Sequence, residues 1–390
     1  MKNISIDKIK PYLKNAKKHT EKQIKQIADS IANFGFNQAI VIDKNNVIIV
    51  GHGRYEAAKV LKLKEIPVIQ VDLSEENAKA YRLADNKLNE SEWDMELVIE
   101  ELKELSIELL NLTGFSEDLI IESDDKDDEV PDLPAKAKSE IGEIYQLGRH
   151  RIMCGDSTNS EEVSRLMDGK KADIVFTDPP YGVNYQDKAE KILGRKDRAV
   201  IANDGLRKDA LKKIVFPAFQ NIAENLKNGG VYYVCSPQGG ELGLMMMMMM
   251  MMDAGIECRH MIVWAKDRAV FSMGRLDYDY QHEPILYGWR GSHKHIGNGQ
   301  FKTSVWNIPN PRASKLHPTM KPVEIMQNAL LNSSKSEDIV LDLFLGSGST
   351  LISAEKTGRI CYGMEIDPKY IDVIIKRWED FTSKKAIKLT

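Results

Sequence analysis

Near the middle of the chain an apolar run, Ile174-Val175-Phe176-Thr177, ends in Asp178-Pro179-Pro180-Tyr181-Gly182. A carboxylate, two prolines and a phenol ring thus follow what reads as a buried strand. Two successive prolines fix φ and remove two N–H donors, so the carbonyls of the turn point outward as acceptors. A carboxylate beside such a carbonyl can take both hydrogens of a planar amino group, localising a lone pair that is otherwise delocalised into its ring. The exocyclic amino groups of adenine and cytosine are of this kind, and the Tyr181 ring would stack on a base drawn out of its duplex. The four residues alone fit a rigid turn equally well. Their place at a strand end favours chemistry, because open parallel sheets bind ligands outside the carboxyl ends of their strands.

A second apolar run, Ile339 to Leu343, leads into Phe344-Leu345-Gly346-Ser347-Gly348-Ser349-Thr350 and a helical stretch, Leu351 to Lys356. Glycines there let a ligand come close to the backbone. The segment lacks the Gly-Lys-Ser/Thr ending of a phosphate loop and the third glycine of the dinucleotide fingerprint. Further on, the strand Ile360 to Met364 delivers Glu365 and Asp367, at the spacing of about 20 residues where nucleotide folds place a ribose-binding carboxylate. The two halves suit a nucleoside-containing ligand that needs no phosphate clamp.

The pairing of Asp178-Pro179-Pro180-Tyr181 with Phe344-x-Gly346-x-Gly348 resembles the amino-group DNA methyltransferases that use S-adenosylmethionine. The tetrapeptide precedes the glycine turn, as in the permuted beta group of that family. Gly155-Asp156-Ser157, His317-Pro318-Thr319-Met320-Lys321-Pro322 and Tyr362-Gly363-Met364-Glu365 are similar to its flanking motifs, and the resemblance spans residues 143–380. It implies an α/β fold: a seven-stranded, mostly parallel methyltransferase sheet with helices on both faces. It also implies that Asp178, Pro179, Pro180 and Tyr181 are catalytic. Asp342, Phe344, Gly346, Gly348 and Ser349 would hold the methionine end of S-adenosylmethionine, Glu365 and Asp367 its ribose, and Asp156 its adenine. Thr319 and Lys321 would close the methionine pocket.

By the same resemblance the substrate is double-stranded DNA, with site-specific transfer to adenine N6. The aspartate at the first motif position leans towards adenine, since relatives that act on cytosine N4 often carry serine there. Cytosine N4 stays the alternative, with a ParB-like nucleotide-dependent DNA-binding protein whose methyltransferase domain is inactive as another, and RNA or a protein amide as a further one. Carbon-5 cytosine chemistry needs a thiolate nucleophile, and Cys235-Ser236-Pro237 has the wrong order for it. The family places target recognition between the two halves, at about residues 265–315. There Arg268, Arg275, Tyr280, Arg290, Lys294 and Lys302 are of the types that read bases and phosphates. An ordinary polar loop is the competing reading. The resemblance further admits a homodimer and a cognate restriction enzyme, and calls for no membrane and no metal.

Several elements must position these residues. In the rear half, β-branched runs at 174–176, 231–234, 261–264 and 339–343 alternate with helical segments, the pattern of a parallel sheet. Between two of them lies Met245 to Met252, a run of eight methionines, which predicts a helix packed on the sheet. In the front half, Ile24, Ile27, Ala28, Ile31 and Phe34 recur at helical spacing and stop at Gly35. Short strands at 39–42, 47–50 and 66–71 follow, then a helical region to about Leu112. Gly51-His52-Gly53-Arg54-Tyr55-Glu56-Ala57-Ala58 is similar to the nucleotide-binding box of ParB/sulfiredoxin-like domains, where Gly51, Gly53 and Arg54 would meet a phosphate at a helix N-terminus. ParB boxes carry more arginine, and a small domain kept for DNA contact or assembly is the alternative.

An acidic stretch from Ser123 to Glu129, followed by Pro131 and Pro134, reads as a linker. The expected organisation is therefore a ParB-like domain with a helical extension over 1–120, a linker over 121–140 and the methyltransferase domain over 141–390. Hydrophobic residues at 42% and charged residues at 29% match a folded globular chain. The net charge of −4 leaves nucleic-acid binding to local patches. Four cysteines with no CxxC pair exclude a zinc or disulfide framework and are read as reduced. A start without a signal-like apolar core, and no apolar run of membrane length, lead to the expectation of a cytoplasmic protein.

Overall fold

The computed structural model describes residues 2–13, 15–17, 19–88, 93–115, 117–120, 125–181, 208–239, 242–270, 278–293, 296, 302–309 and 320–389. The chain divides into two compact units, Met1–Ile121 and Glu122–Thr390. In the first, β1 (Lys2–Ser5), β2 (Ile40–Ile42), β3 (Ile48–Val50) and β4 (Glu65–Gln70) form a sheet in the order β1-β4-β2-β3. Helix α1 (Glu21–Phe34) begins at Thr20, whose hydroxyl oxygen accepts from the Gln23 N–H, and ends at Gly35 with φ of 85°. These are the capping residues that its spacing requires. Strand β3 runs through Gly51 into α2 (His52–Val60), and α3 (Glu75–Leu88), α4 (Met95–Lys103) and α5 (Ile107–Thr113) follow. Ile40, Ile42, Ile48, Ile66 and Val68 bury against Tyr55 and Ala58, each aliphatic side chain contributing about 1.5–3 kcal/mol.

The second unit runs β5 (Ile144–Leu147), β6 (His150–Cys154), α6 (Ser160–Met167), β7 (Ala172–Thr177), α7 (Lys208–Asn225), β8 (Leu226–Cys235), α8 (Leu244–Asp253), β9 (His260–Val270), β10 (Tyr280–Trp289) and β11 (Val305–Asn307). It continues with α9 (Val323–Ser333), β12 (Ile339–Asp342), α10 (Ser349–Lys356), β13 (Ile360–Glu365), α11 (Pro368–Thr382) and β14 (Ile387–Lys388). The strands make one sheet, β11-β9-β10-β8-β7-β12-β13-β6-β5-β14. Its centre, from β8 to β6, is parallel. Among the described residues the sheet has ten strands rather than seven, because β5 and β14 extend one edge antiparallel while β10, β9 and β11 extend the other.

Successive residues of the central strands feed opposite faces, as the two-residue period of a strand demands. Val231, Tyr233 and Cys235 of β8 join one core with side chains of α9, α10 and α11, whereas Tyr232 and Val234 join a second with those of α6, α7 and α8. Helices on both faces explain why these strands are apolar throughout. The methionine run forms α8 as expected. Met247, Met250 and Met251 are buried and Met245, Met249 and Met252 are exposed; nothing in the structure explains why the exposed side is also methionine.

Part of the acidic stretch read as a linker is anchored in the second unit. Asp127 is buried and pairs with Lys356 at the end of α10, and its carbonyl accepts from Arg377 of α11 at 2.6 Å. Asp128 accepts from the Val323 N–H at the start of α9, 2.9 Å away. These charges look solvated in a composition count, yet each has a partner in the fold. Cys154, Cys235 and Cys361 are buried, Cys258 is partly so, and all four are free thiols. Among the described residues no helix is long and apolar enough to cross a membrane.

Candidate active site

Strands β7 and β12 are parallel neighbours, with Val340 opposite Ile174 and Leu341 opposite Val175. The turns that leave their carboxyl ends therefore lie side by side, although 165 residues of sequence separate Thr177 from Asp342. A hydrogen bond ties the two ends together: Thr177 Oγ1 donates to Asp342 Oδ1 at 2.8 Å. The Phe344 N–H donates to the same oxygen at 3.1 Å, and Thr350 Oγ1 donates to Oδ2 at 2.7 Å. Asp342 is buried, which pushes its carboxyl up to about 6 against these donors. Its oxygens are engaged from within the fold, so it sits beneath the glycine turn and braces it against the end of β7.

Within that turn Gly346 has φ of 54° and open space where a side chain would be, and Gly348, at φ of 89°, starts α10. Both conformations favour glycine. Glu365, at the end of β13, reaches across: its Oε2 accepts from the Gly346 N–H at 2.9 Å and its Oε1 from the Asp367 N–H at 3.0 Å. Removal from water outweighs these donors and raises the carboxyl to about 7. Next to β13, the Gly155 N–H donates to the Glu365 carbonyl at 3.0 Å, which brings the Asp156 turn to the same edge. Asp156 Oδ1 accepts from the Thr158 N–H at 2.9 Å. Phe344 is half-buried against the second core, and Ser349 is buried under Arg377, which also holds the Ser347 carbonyl at 2.9 Å. Asp367 caps α11 by accepting from the Lys369 N–H at 2.9 Å.

On the catalytic side, the Tyr181 hydroxyl donates to Asp178 Oδ1 and Lys321 Nζ lies 2.7 Å from Oδ2. Lys321 is only 8% exposed and also faces Glu283 at 3.3 Å, while Glu283 pairs with Lys266 at 2.5 Å. Burial alone would lower the Lys321 ammonium, but Asp178 and Glu283 hold it well above its ordinary value. Burial alone would likewise raise Glu283, yet Lys321 and Lys266 keep it below the usual carboxylate range. Burial and the neighbouring Asp178 push the Tyr181 phenol far up, so it remains a donor. Glu283 and Lys266 were missed by sequence reasoning, because they sit on two strands remote in sequence from either motif.

Residues 172–377 match a protein-family model described as DNA methylase. The chain belongs to the N6/N4 DNA methylase family. Residues 1–87 of this methylase match a second model, the ParB N-terminal domain. Type II methyltransferase M.HinfI of Haemophilus influenzae is 26% identical over 241 residues, which are 55% of this chain and 65% of the relative. A probable chromosome-partitioning protein ParB of Rickettsia prowazekii (strain Madrid E) is 54% identical over 67 residues, 17% of this chain and 23% of its own. The methylase thus spans less than two thirds of either relative. A solved structure, the M1.HpyAVI–SAM complex, overlays 58% of this chain and 97% of its own at 19% identity, with a TM-score of 0.42.

Of the described residues that sequence types nominated for DNA contact, Arg268 and Tyr280 fall on neighbouring strands and Arg290 lies apart from them. Arg268 and Tyr280 are exposed in the hairpin arms of β9 and β10, near the end that carries Lys266 and Glu283. Arg290 lies at the opposite end of the sheet from Asp178, since Trp289 pairs with Val231 at the beginning of the parallel part of β8. There it donates to the carbonyls of Ala223 and Leu226 at 2.6 Å each and ties down the end of α7. Lys302 Nζ is 3.0 Å from Asn328 Oδ1. Arg275, Lys294 and Thr319 lie outside the described residues.

In the first unit of the methylase, Gly51 takes φ of 101° and starts α2, while Gly53 packs against His19 and Ile27. Arg54 hydrogen-bonds Gln38, and its buried Nε has no partner among the described residues. Burial lowers the guanidinium from its ordinary value. These residues line a cavity of 640 Å³ with His19, Gln23, Ile31 and Asp85.

Proposed function

We propose that this methylase transfers a methyl group from S-adenosylmethionine to an exocyclic amino group in double-stranded DNA, adenine N6 ahead of cytosine N4. The observation that carries the reading is Asp178 at the end of β7, joined through Thr177 and Asp342 to a glycine turn that Glu365 underpins. The site fits the cofactor. Gly346 leaves open space beside the backbone, and Glu365 is a carboxylate suited to accept from ribose hydroxyls. Asp156 at the same edge suits an adenine amino group. When bound, S-adenosylmethionine supplies an electrophilic methyl group on a sulfonium centre. Its positive charge and lack of phosphate agree with a turn surrounded by carboxylates.

The chain's own residues hold the base. Asp178 Oδ2 is occupied by Lys321, so an incoming amino group displaces the Tyr181 hydroxyl from Oδ1 and gives its second hydrogen to the Pro179 carbonyl. Both acceptors draw the lone pair out of the ring, and the freed Tyr181 ring packs against the base. Asp178 Oδ1 is then the nearest acceptor for the proton that the methylated nitrogen sheds. The aspartate in this position supports adenine. Incubation of the purified chain with labelled S-adenosylmethionine and a mixture of duplex DNA, RNA and protein, followed by separation and mass analysis of each, tests both halves. N6-methyladenine is expected; label only in N4-methylcytosine overturns the choice of base, and label only in RNA or protein overturns the choice of DNA.

A second reading concerns the cavity of the first unit. The unpartnered Nε of Arg54 beside the start of α2 favours a phosphate-bearing ligand there. Calorimetric titration with a nucleoside triphosphate, lost in Arg54→Ala, is the expected result. Equal binding by the variant removes Arg54 from that role.

A further inference from the structure

We infer that Glu283 and Lys266 are positioning residues for the catalytic carboxylate, acting through Lys321; the inference rests on the methyl transfer proposed above. Strand β10 pairs with β8 so that Ile285 faces Cys235, which sets the leading end of β10 beside the carboxyl ends of the parallel strands. It pairs with β9 so that Glu283 faces Trp264 and His282 faces Ala265, which brings Lys266 next to Glu283. The result is a row of alternating charges, Asp178, Lys321, Glu283 and Lys266, with contacts of 2.7, 3.3 and 2.5 Å. Lys266 Nζ also lies 4.6 Å from the centre of the Trp264 ring, a buried side chain of the sheet core. The far end of the row is therefore fixed to the fold.

The row determines how Lys321 approaches Asp178. An ammonium has three donors, and an almost fully buried one turns them to whatever carboxylate oxygens are within reach. With Glu283 accepting from it, Lys321 contacts Asp178 through Oδ2 alone, and Oδ1 is left to the Tyr181 hydroxyl and then to the amino group of the base. Without Glu283, the ammonium shifts towards both Asp178 oxygens and competes with the substrate. Lys266 keeps Glu283 from turning away. Neither Glu283 nor Lys266 is assigned contact with the base or the cofactor, so their loss acts on turnover and not on binding.

The test is steady-state methyl transfer by Glu283→Gln. The account predicts a fall in kcat of about a hundredfold, the scale of an ångström-sized misplacement, with unchanged KM for DNA and for S-adenosylmethionine. It also predicts that Glu283→Gln adds little to the loss already caused by Lys321→Met, since the two act as one unit. Lys266→Met, a milder change at the end of the row, serves where Glu283→Gln fails to fold and is expected to lower kcat about tenfold. Wild-type turnover in the folded variant, or losses that multiply in the double variant, overturns the inference while wild-type transfer upholds the underlying function. A wild-type chain without transfer overturns both.

Discussion

Two turns in this molecule use the same backbone device and surround it with different side chains. In the first unit β3 passes through Gly51 (φ 101°, ψ 29°) into α2; in the second, β12 leads through Gly348 (φ 89°, ψ 22°) into α10. Each places glycine in the left-handed region so that helix N–H groups open towards a ligand. Around Gly51 stand Arg54, His52, His19 and Asp85. Around Gly348 stand Asp342 and Glu365, both raised by burial, with Arg377 holding Ser347 and Ser349 on either side of it. The difference teaches that a strand–glycine–helix turn is compatible with very different surroundings. In the function proposed above, the side chains beneath it decide between an anion and a ligand that carries hydroxyls and a positive charge.

The strongest way to break the comparison is to reverse the charge at the second turn. Glu365→Lys replaces an acceptor with a competing cation, and S-adenosylmethionine affinity by calorimetry is expected to fall at least about a hundredfold. Unchanged affinity would show that the carboxylates are incidental. A finer probe compares Gly348→Ala with Gly51→Ala. Each forces a side chain into left-handed backbone and should cost about 1–2 kcal/mol of stability by thermal or urea unfolding. Only Gly348→Ala should also weaken S-adenosylmethionine, because the proposed cofactor site lies at the second turn alone.

Titration sharpens the contrast further. Glu365 is raised from 4.5 to about 7, so a ligand that binds its ionised form loses affinity as pH falls through 7. Glu365→Gln should bind weakly at every pH. The same shift strains the ligand-free fold: a carboxyl raised in the folded state contributes stability below pH 4.5 and loses it as pH rises through about 7. Glu365→Gln should therefore melt higher than wild type at pH 8, and no higher at pH 4.5. At the first turn the sign reverses. Burial and Arg82 lower His52 from 6.5 to about 4, so the first unit should lose a small amount of stability as pH drops from 6.5 to 4. A His52→Gln variant, followed by thermal unfolding, should lack that slope.

What the sequence revealed follows from how local each signal is. The catalytic turn and the glycine turn are contiguous, and the strand before each is apolar enough to announce its ending. Glu365 was legible because one helix, one turn and one strand separate it from Gly348 at a spacing that nucleotide folds share. Lys321 was nominated for the cofactor pocket, and the structure sets it on Asp178, a pairing that depends on which way a long side chain turns. Glu283 and Lys266 were invisible because the register of β9 against β10 brings them together. Arg290 was nominated by residue type for phosphate contact, and the register of β10 sets it at the far end of the sheet, on carbonyls of α7 and β8. Asp127 and Asp128 looked solvated, but helix ends elsewhere in the unit supply their partners.

The central claim is that Asp178 organises the amino group that receives the methyl. The most direct measurement is single-turnover transfer of labelled methyl from S-adenosylmethionine to duplex DNA by wild type and by Asp178→Ala, with cofactor affinity measured on the same preparations. The account predicts methylated DNA from the wild type, and from the variant at least about a hundredfold less at nearly unchanged cofactor affinity. Equal transfer by the two would contradict it.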